Sequence, residues 1–411
     1  MNTDKKLFGI QKNIFFTGLV SFFMDVSSEM IYPLVPLFLS NVLGVNKFLI
    51  GLIEGVAEST ASILNVFSGW WSDKIGSRKN LMIVGYATSM LSRPIMATAH
   101  TWQQILIARF VDRVGKGLRT APRDAIIAES SEPAHLARSF SYHRSMDTMG
   151  AVVGPLLALL LLQFFANSYR TVFWISMVPG VIAVFIVMVF ITERGNHIYA
   201  QQEEPPTLTL KVFNRKAQFF ILIATLFALG NSSDVFLILK AQHVGIPMSI
   251  IPGVYLLFNL IYSISAIPAG IIADRFGKKR IILMGFVLFA ALYYGFAVAI
   301  TTVTIWFLFG FYGFFMGLTE GIQKAYLATI IPPQVRATAF GMYSTAIGIT
   351  KFPASLIGGW LWDNVSPAMT FYFGAAISMV SAALFMVLII ISRDSTKSAR
   401  DQQLFTTCRL H

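Results

Sequence analysis

The chain has 411 residues, of which 55% are hydrophobic and only 13% are charged. An ordinary globular protein carries about 25% charged residues, so this composition excludes a water-soluble fold and favours a protein whose solvent is largely lipid. The net charge of +12 is spread over loops rather than over one basic soluble surface, and we therefore expect no nucleic-acid partner.

Twelve stretches are long enough to cross about 30 Å of hydrocarbon as helices. In chain order they lie near residues 13–39, 48–71, 81–99, 103–129, 140–164, 171–192, 217–240, 250–272, 281–300, 303–331, 338–362 and 368–392. The fourth is too polar to pass a simple hydropathy threshold, and its assignment depends on an even count of spans with alternating loops. The sequence therefore predicts an all-α integral membrane protein embedded in a lipid bilayer.

The basic residues predict the orientation of the chain. Most of the 32 Lys and Arg residues fall in loops or tails on one side of the predicted membrane, whereas only Lys47 and Arg170 fall on the other side. This is the positive-inside pattern, so we expect a multi-pass protein of the inner membrane with both termini in the cytoplasm. The first apolar stretch is too long for a signal peptide, and the single cysteine, Cys408, allows no intrachain disulfide.

The sequence also predicts two related six-span halves. We place the first half at residues 1–192 and the cytoplasmic linker at 193–216. The second half then lies at 217–392 and a cytoplasmic tail at 393–411. The segment that begins at Gly69 recurs 201 residues later, at Gly270, and Ser27-Ser28-Glu29 is echoed by Ser232-Ser233-Asp234. Two parallel halves suit a transporter that rocks about a site at the membrane midplane.

A motif of glycine, aspartate and basic residues follows the second span and again the eighth. Its pattern, Gly-x-x-x-Asp-x-x-Gly-x-[Lys/Arg]-[Lys/Arg], includes Gly69, Asp73, Gly76 and Arg78, and then Gly270, Asp274, Gly277 and Lys279. The motif resembles the signature of the major facilitator superfamily, and with the span count and the repeat the resemblance covers essentially the whole chain. It implies the major facilitator fold and alternating-access transport of a small solute, with these residues as a cytoplasmic conformational latch. The residue types fit that role. Glycine lets helices approach closely and the chain reverse tightly, and an aspartate is favourable at a helix N-terminus.

The fifth span contains a weaker resemblance. Gly150-Ala-Val-Val-Gly154-Pro155 is similar to the Gly-x-x-x-Gly-Pro element of the antiporter branches of that family, although the residues after it depart from the pattern. Ordinary glycine-mediated helix packing explains these residues equally well. This Gly-x-x-x-Gly-Pro element favours export only weakly, and the direction of transport stays open.

The fourth span carries a run of charge. At about 100° per residue its charged side chains fall on one stripe roughly 120° wide. Charges within a span normally face a cavity or a partner, and excess positive charge in a pathway favours an anion. The predicted substrate-binding residues are Arg109, Arg113, Lys116 and Arg123. The competing interpretation is a structural network of ion pairs or latches.

The same span departs from the drug-exporting relatives of the family. The matching stretch in those relatives reads Arg-x-x-Gln-Gly-x-Gly, whereas Asp112 and Arg113 stand here in place of Gln and Gly. This departure puts a simple multidrug assignment in doubt.

Intramembrane carboxylates are the predicted proton-coupling groups. Two of them lie one turn apart in the first span and two in the second, so each pair shares a helix face. Two carboxylates in a low dielectric do not both ionise readily. One of them can therefore hold a proton near neutral pH, as proton coupling requires. The candidates are Asp25, Glu29, Glu54, Glu58 and Asp147. The alternative is that these acids pair with Arg93 or Arg109 and stay charged.

Several function classes are not supported. The sequence has no phosphate-binding loop, zinc-protease motif or nucleophile elbow, so we expect neither an enzyme nor an ATP-driven pump, and no cofactor or metal site. The preferred reading is a monomeric, proton-coupled carrier of an anionic organic metabolite or siderophore-like chelate. The alternative is a proton antiporter of lipophilic drugs, and a more distant one is a non-transporting membrane sensor.

Overall fold

The structure is a computed structural model that describes residues 6–7, 10–75, 77–131, 136–165, 168–193, 215–331 and 336–408. A short antiparallel pair, β1 (Lys6–Leu7) and β2 (Ile10–Gln11), precedes the helices. The first half contains α1 (Lys12–Ile31), α2 (Val35–Asn41), α3 (Lys47–Ile75), α4 (Arg78–Thr98), α5 (Trp102–Ser130), α6 (Leu136–Phe164) and α7 (Tyr169–Phe190). The second half contains α8 (Arg215–Gly230), α9 (Val235–His243), α10 (Ile251–Phe276), α11 (Lys278–Val298), α12 (Thr302–Ile330), α13 (Arg336–Asn364) and α14 (Pro367–Cys408).

These helices form twelve spans in the described part of the chain, which confirms the predicted architecture. The first span is α1 with α2, the seventh is α8 with α9, and every other helix is one span. By length and composition alone, eight described stretches are apolar enough to cross a membrane. The fourth span, α5, is not among them, as its charges predicted.

Two spans are interrupted. Between α1 and α2 the chain turns at Tyr32–Leu34, where Pro33 and Pro36 cannot donate backbone hydrogen bonds. Between α8 and α9 the break follows Gly230 at Asn231–Asp234, where the Ser233 hydroxyl accepts a hydrogen bond from the Val235 N–H at 3.4 Å. Ser and Asp side chains that bond to nearby backbone groups compete with helix formation, so the local sequence weakens the helix at this second break.

The helix pairings repeat between the halves. In the first half α1 packs on α6 and α7, α4 on α5 and α7, and α3 on α5. In the second half α8 packs correspondingly on α13 and α14, α11 on α12 and α14, and α10 on α12. The main contacts between the halves are α3 with α13 and α6 with α10, and α2 also contacts α9.

The halves differ in what they bury. The second half packs an aromatic core in which the Phe289 and Tyr293 rings stack at 4.0 Å and Phe286 is fully buried. The first half instead buries arginines, and Arg93 and Arg109 are among the largest fully buried side chains in the described part of the chain. Buried charge therefore concentrates in the first half.

Candidate transport pathway

The buried face of α5 is an ion-pair network. The Arg109 guanidinium pairs with the Glu54 carboxylate of α3, and these side chains are only 2% and 1% exposed. On the same face, Asp112 accepts a hydrogen bond from Arg93 of α4 at 3.0 Å. Burial of an unpaired charge is costly, and this pairing explains why α5 tolerates so many charges. For Glu54 and Arg109 the geometry matches the ion-pair alternative.

Arg93 joins three helices. In addition to Asp112, its guanidinium donates to Ser27 at 3.2 Å, Ser28 at 2.9 Å and Ser92 at 2.6 Å. The side chain is completely buried. Sequence reasoning named Arg93 only as a possible partner for acids, because its serine neighbours on α1 become visible only once the helices are packed.

One carboxylate links the two halves. Glu58 of α3 lies 3.2 Å from Arg113 of α5 and 3.2 Å from Lys351 of α13. Arg113 also lies 3.5 Å from Asp112. The predicted candidates Glu58 and Arg113 are thus in contact with each other, and Lys351, which the sequence analysis did not single out, completes the group across the interface.

The remaining bases of α5 have different surroundings. Lys116 is exposed; its largest electrostatic interaction is repulsion from Arg113, and it is also attracted to Glu58 and Asp25. Arg119 is buried, donates to Ser89 and lies 4.7 Å from the centre of the Tyr86 ring. Of these side chains, Lys116 is therefore the one that presents an accessible charge.

Arg123 is held locally. Its guanidinium pairs with the adjacent Asp124 carboxylate at 2.9 Å and donates to Ser21 at 3.5 Å. It is only 17% exposed in its side chain, so its charge is largely matched within the first half.

The acids Asp25 and Glu29 form no ion pair with a described Lys or Arg, and the nearest described base to Asp147 is His143. No described Lys or Arg nitrogen lies within 4 Å of Asp25 or Glu29, and Asp25 interacts electrostatically with both Glu29 and Asp147. The Glu29 Oε2 and Asp147 Oδ1 atoms are buried without a hydrogen-bond partner among the described residues. Three carboxylates on α1 and α6 therefore lie together with incomplete pairing.

His143 adds a titratable group to this cluster. Its Nδ1 atom lies 3.6 Å from the Asp147 carboxylate, and its Nε2 atom lies 2.6 Å from the Ser21 hydroxyl. The histidine is buried. The four residues Asp25, Glu29, His143 and Asp147 are referred to below as the acidic cluster.

A polar cavity of about 310 Å³ opens beside the second half. Phe227, Phe315 and Met316 contribute its apolar wall. Its polar lining residues are Ser62, Asn231, Thr319, Gln323, Lys324, Tyr343, Ser344 and Lys351. The Tyr343 hydroxyl donates to Gln323 at 2.7 Å. No sequence pattern predicted this cavity, because its polar residues are far apart in the chain and meet only when the helices pack.

The predicted latch is only partly covered by the structure. Gly76 lies outside the described residues. For Gly69, Asp73, Gly270 and Asp274 the structure describes the helix but not the surroundings of the residue. Gly277 has a φ of 91° where α10 meets α11, a conformation that glycine adopts far more readily than other residues. Lys279 lies in the first turn of α11.

The remaining latch residue, Arg78, anchors the start of α4. Its side chain pairs with Glu129, and its backbone N–H donates to the Glu193 carboxylate at 2.6 Å. The neighbouring Lys79 N–H also donates to Glu193, at 3.3 Å. An acid at a helix N-terminus is favourable, and here Glu193 supplies it.

The glycines of the fifth span pack closely on the first. A Cβ atom at Gly150 would lie 2.8 Å from Asp25 Cβ, and one at Gly154 would lie 2.7 Å from Glu29 Cβ. Small residues allow such close approach of helices in lipid. The same glycines thus bring α6 against the helix face that carries two members of the acidic cluster.

Comparison with known proteins agrees with this architecture. The family profile described as Major Facilitator Superfamily matches residues 17–258 and 221–407. The uncharacterized MFS-type transporter MJ1317 of Methanocaldococcus jannaschii is 36% identical over 385 residues, which cover 92% of this chain and 95% of that protein. The multidrug resistance protein MdtH of Blochmanniella pennsylvanica is 24% identical over 83% of each chain.

Solved structures show the same fold. The crystal structure of the nucleoside transporter NupG superposes with a TM-score of 0.76 at 14% identity and covers 92% of this chain and 99% of that one. At this identity the likeness concerns the fold alone.

Proposed function

Because the chain belongs to the Major Facilitator Superfamily, we propose that it is a secondary transporter that couples protons to the movement of a small organic anion. The observation that carries the proposal is the charge of the accessible groups between the halves. Lys116 is exposed on the first half, while Lys324 and Lys351 line the cavity on the second. The strongly buried acids nearby, Glu54 and Asp112, are already paired with arginines.

Arg109 and Arg113 then hold α5 against α3 beside the pathway rather than contact the solute. Both side chains are at least nine-tenths buried and ion-paired, so removing either would strand a buried acid. Lys116 provides the contact from the first half, whereas the charge of Arg123 is matched by Asp124. The cavity of about 310 Å³ lies at the small end of ligand pockets, which favours a small metabolite over a siderophore-like chelate.

Proton coupling arises because the carboxylates of the protein and the anionic solute compete for the positive charge of Lys116. The ammonium group interacts with Asp25 and Glu58, and Glu29 interacts in turn with Lys116. When Asp25 or Glu29 takes up a proton, Lys116 loses a negative neighbour and its charge becomes available to an anion. Anion affinity therefore rises as the pH falls, and the anion and the proton bind together. His143 and Asp147 connect the same cluster towards α6.

The proposal also assigns the topology. Both chain termini lie in the cytoplasm, the latch residues lie at that side, and one chain forms the complete pathway. The distribution of Lys and Arg supports this orientation, and the two halves together supply every group invoked above.

Thermal stabilisation of the purified, detergent-solubilised protein tests the substrate class, because a ligand that binds the folded state raises its Tm. The panel contains phenylacetate, citrate and a ferric citrate complex as anions, with tetraphenylphosphonium as the lipophilic cation, at mildly acidic and mildly alkaline pH. We expect stabilisation by an anion that is stronger at acidic pH, lost in Lys116→Gln and retained in Lys216→Gln. Stabilisation by the cation alone would contradict the proposal.

A multidrug antiporter is the second candidate. It is favoured by the similarity to MdtH and by an apolar groove of about 650 Å³ between α10 and α12, lined by Trp306, Phe307 and Phe311 among others. The groove has no charged lining residue, so it suits a lipophilic compound. Binding of tetraphenylphosphonium that is abolished by Phe311→Ser, with no response to anions, would establish this candidate instead.

A further inference from the structure

The cavity beside the second half has two unlike walls. Phe227, Phe315 and Met316 form an apolar surface, whereas Lys324 and Lys351 bring positive charge to the other side. Pockets of this kind take up an apolar body and fix its orientation by a few polar groups. The shape and charge of the lining therefore match a molecule with an apolar part and a single anionic end.

Lys351 is already neutralised, but by a group from the opposite half. Its Nζ atom lies 3.2 Å from a Glu58 oxygen, and its side chain remains 44% exposed. A charge that is both accessible and paired across a moving interface can change partners, since exposed ion pairs are worth only about 0–1 kcal/mol.

Glu58 has a second cation in reach. Arg113 lies 3.2 Å from its other oxygen, so Glu58 keeps a charged partner when Lys351 leaves. Without Arg113, the exchange would strand a partly buried carboxylate, which is unfavourable. The three residues therefore form an arrangement in which Lys351 is released at little cost.

We propose that this cavity is the subsite for the carboxylate of an amphipathic organic anion, and that this carboxylate replaces Glu58 on Lys351. The inference rests on the proposed function and extends it to a substrate class and a residue that selects it. Replacement breaks the ion pair between α3 and α13, while Glu58 remains with Arg113. Substrate binding thereby loosens the contact between the halves.

The electrostatic part is tested without any transport assay. Ser344 lines the cavity and is exposed, and the single native cysteine permits a clean Cys408→Ser background. Ser344→Cys is treated with an anionic and a cationic methanethiosulfonate reagent of similar size. The ratio of the two rates cancels changes in thiolate content and reports the local potential. We expect the anionic reagent to react about tenfold faster, the low end of electrostatic steering effects.

Variants of the proposed exchange sharpen the test. Lys351→Gln should remove most of the anionic preference, Lys351→Arg should keep it, and Lys216→Gln should leave it unchanged. Glu58→Gln should raise the preference, because the carboxylate that is ion-paired with Lys351 is then removed. Phenylacetate should protect the cysteine, whereas the isosteric neutral phenylacetamide should not.

Equal reagent rates, an unreactive cysteine or a preference indifferent to Glu58→Gln would overturn the subsite. Equal protection by phenylacetamide would overturn the carboxylate assignment. Failure of the proposed function looks different: the cavity would keep its anionic preference in these reactions, yet no anion would move protons across the membrane.

Discussion

At the residue scale, the charges on α5 are held by partners from neighbouring helices, Glu54 and Glu58 of α3 and Arg93 of α4. The stripe on α5 follows from helical periodicity alone. The pairing of Arg109 with Glu54 depends on how α3 packs against α5, and the α5 pattern cannot encode that register. The spacing of Asp25 and Glu29 identified them in the same way, whereas His143 and the serines around Arg93 were not predicted.

Replacement of Arg93 tests the buried network. Arg93→Met leaves Asp112 buried with weaker partners, and breaking a buried pair from one side costs about 3–5 kcal/mol. We expect a large fall in the thermal stability of the detergent-solubilised protein, partly recovered in the double variant Arg93→Met/Asp112→Leu. Arg215→Met, at an exposed helix start, is the matched control. An unchanged Tm in Arg93→Met would show that the network does not hold the first half together.

Asp25 tests the acidic cluster. Asp25→Asn preserves the shape of the side chain but cannot take up a proton, so accumulation driven by a pH gradient should be lost while exchange of labelled for unlabelled solute continues. Glu54→Gln should behave differently, since Glu54 is paired with Arg109 and its loss should lower stability. Proteoliposome uptake with and without a pH gradient separates the two. Normal gradient-driven accumulation in Asp25→Asn would remove this residue from the coupling site.

At the element scale, the twelve spans were predicted to within a few residues, because a long apolar helix is the dominant solution for a chain in lipid. The exception is the end of the last helix: α14 continues to Cys408, 16 residues beyond the predicted end at residue 392 and into the predicted tail. The breaks at Tyr32–Leu34 and at Asn231–Asp234 were missed. Proline and the Gly-Asn-Ser-Ser-Asp run were visible signals, but membrane helices tolerate such residues when neighbouring helices satisfy the freed backbone groups. Whether a break occurs is therefore decided by tertiary packing.

The contact between α3 and α13 depends on glycine. A Cβ atom at Gly51 would overlap the Ser355 carbonyl oxygen, while one at Gly55 would lie 3.0 Å from Phe352 Cα. Overpacking typically costs about 1–3 kcal/mol, which corresponds to roughly a 5–150-fold shift in population. Gly51→Val should therefore disfavour the closed arrangement of these two helices.

Disulfide formation measures that closure. The Phe48 N–H donates to the Asp363 carboxylate at 2.7 Å, so Phe48→Cys with Asp363→Cys in the Cys408→Ser background should cross-link readily. Gly51→Val should lower the yield, and Gly321→Ala should not, because a Cβ atom at Gly321 meets nothing within 4 Å. An equal yield in both variants would contradict the role of the glycine contact.

At the scale of the whole molecule, the repeat predicted two related halves, whereas the concentration of buried arginine in the first half emerged only from the structure. The pair of Glu58 with Lys351 spans 293 residues of sequence and lies between the halves, so neither half alone reveals it. Family membership does not supply the substrate either, since one fold hosts many functions. The accessible lysines and the acidic cluster therefore carry the functional argument.

The most direct test of proton-coupled anion transport is proton entry into proteoliposomes that contain a pH-sensitive dye. Addition of phenylacetate outside should acidify the lumen in liposomes with the native chain, with phenylacetamide as the neutral control and protein-free liposomes correcting for passive diffusion of the acid. We expect acidification that is lost in Asp25→Asn and strongly weakened in Lys116→Gln. Acidification equal to that of protein-free liposomes across the whole anion panel, with proton exit on addition of tetraphenylphosphonium, would contradict this expectation.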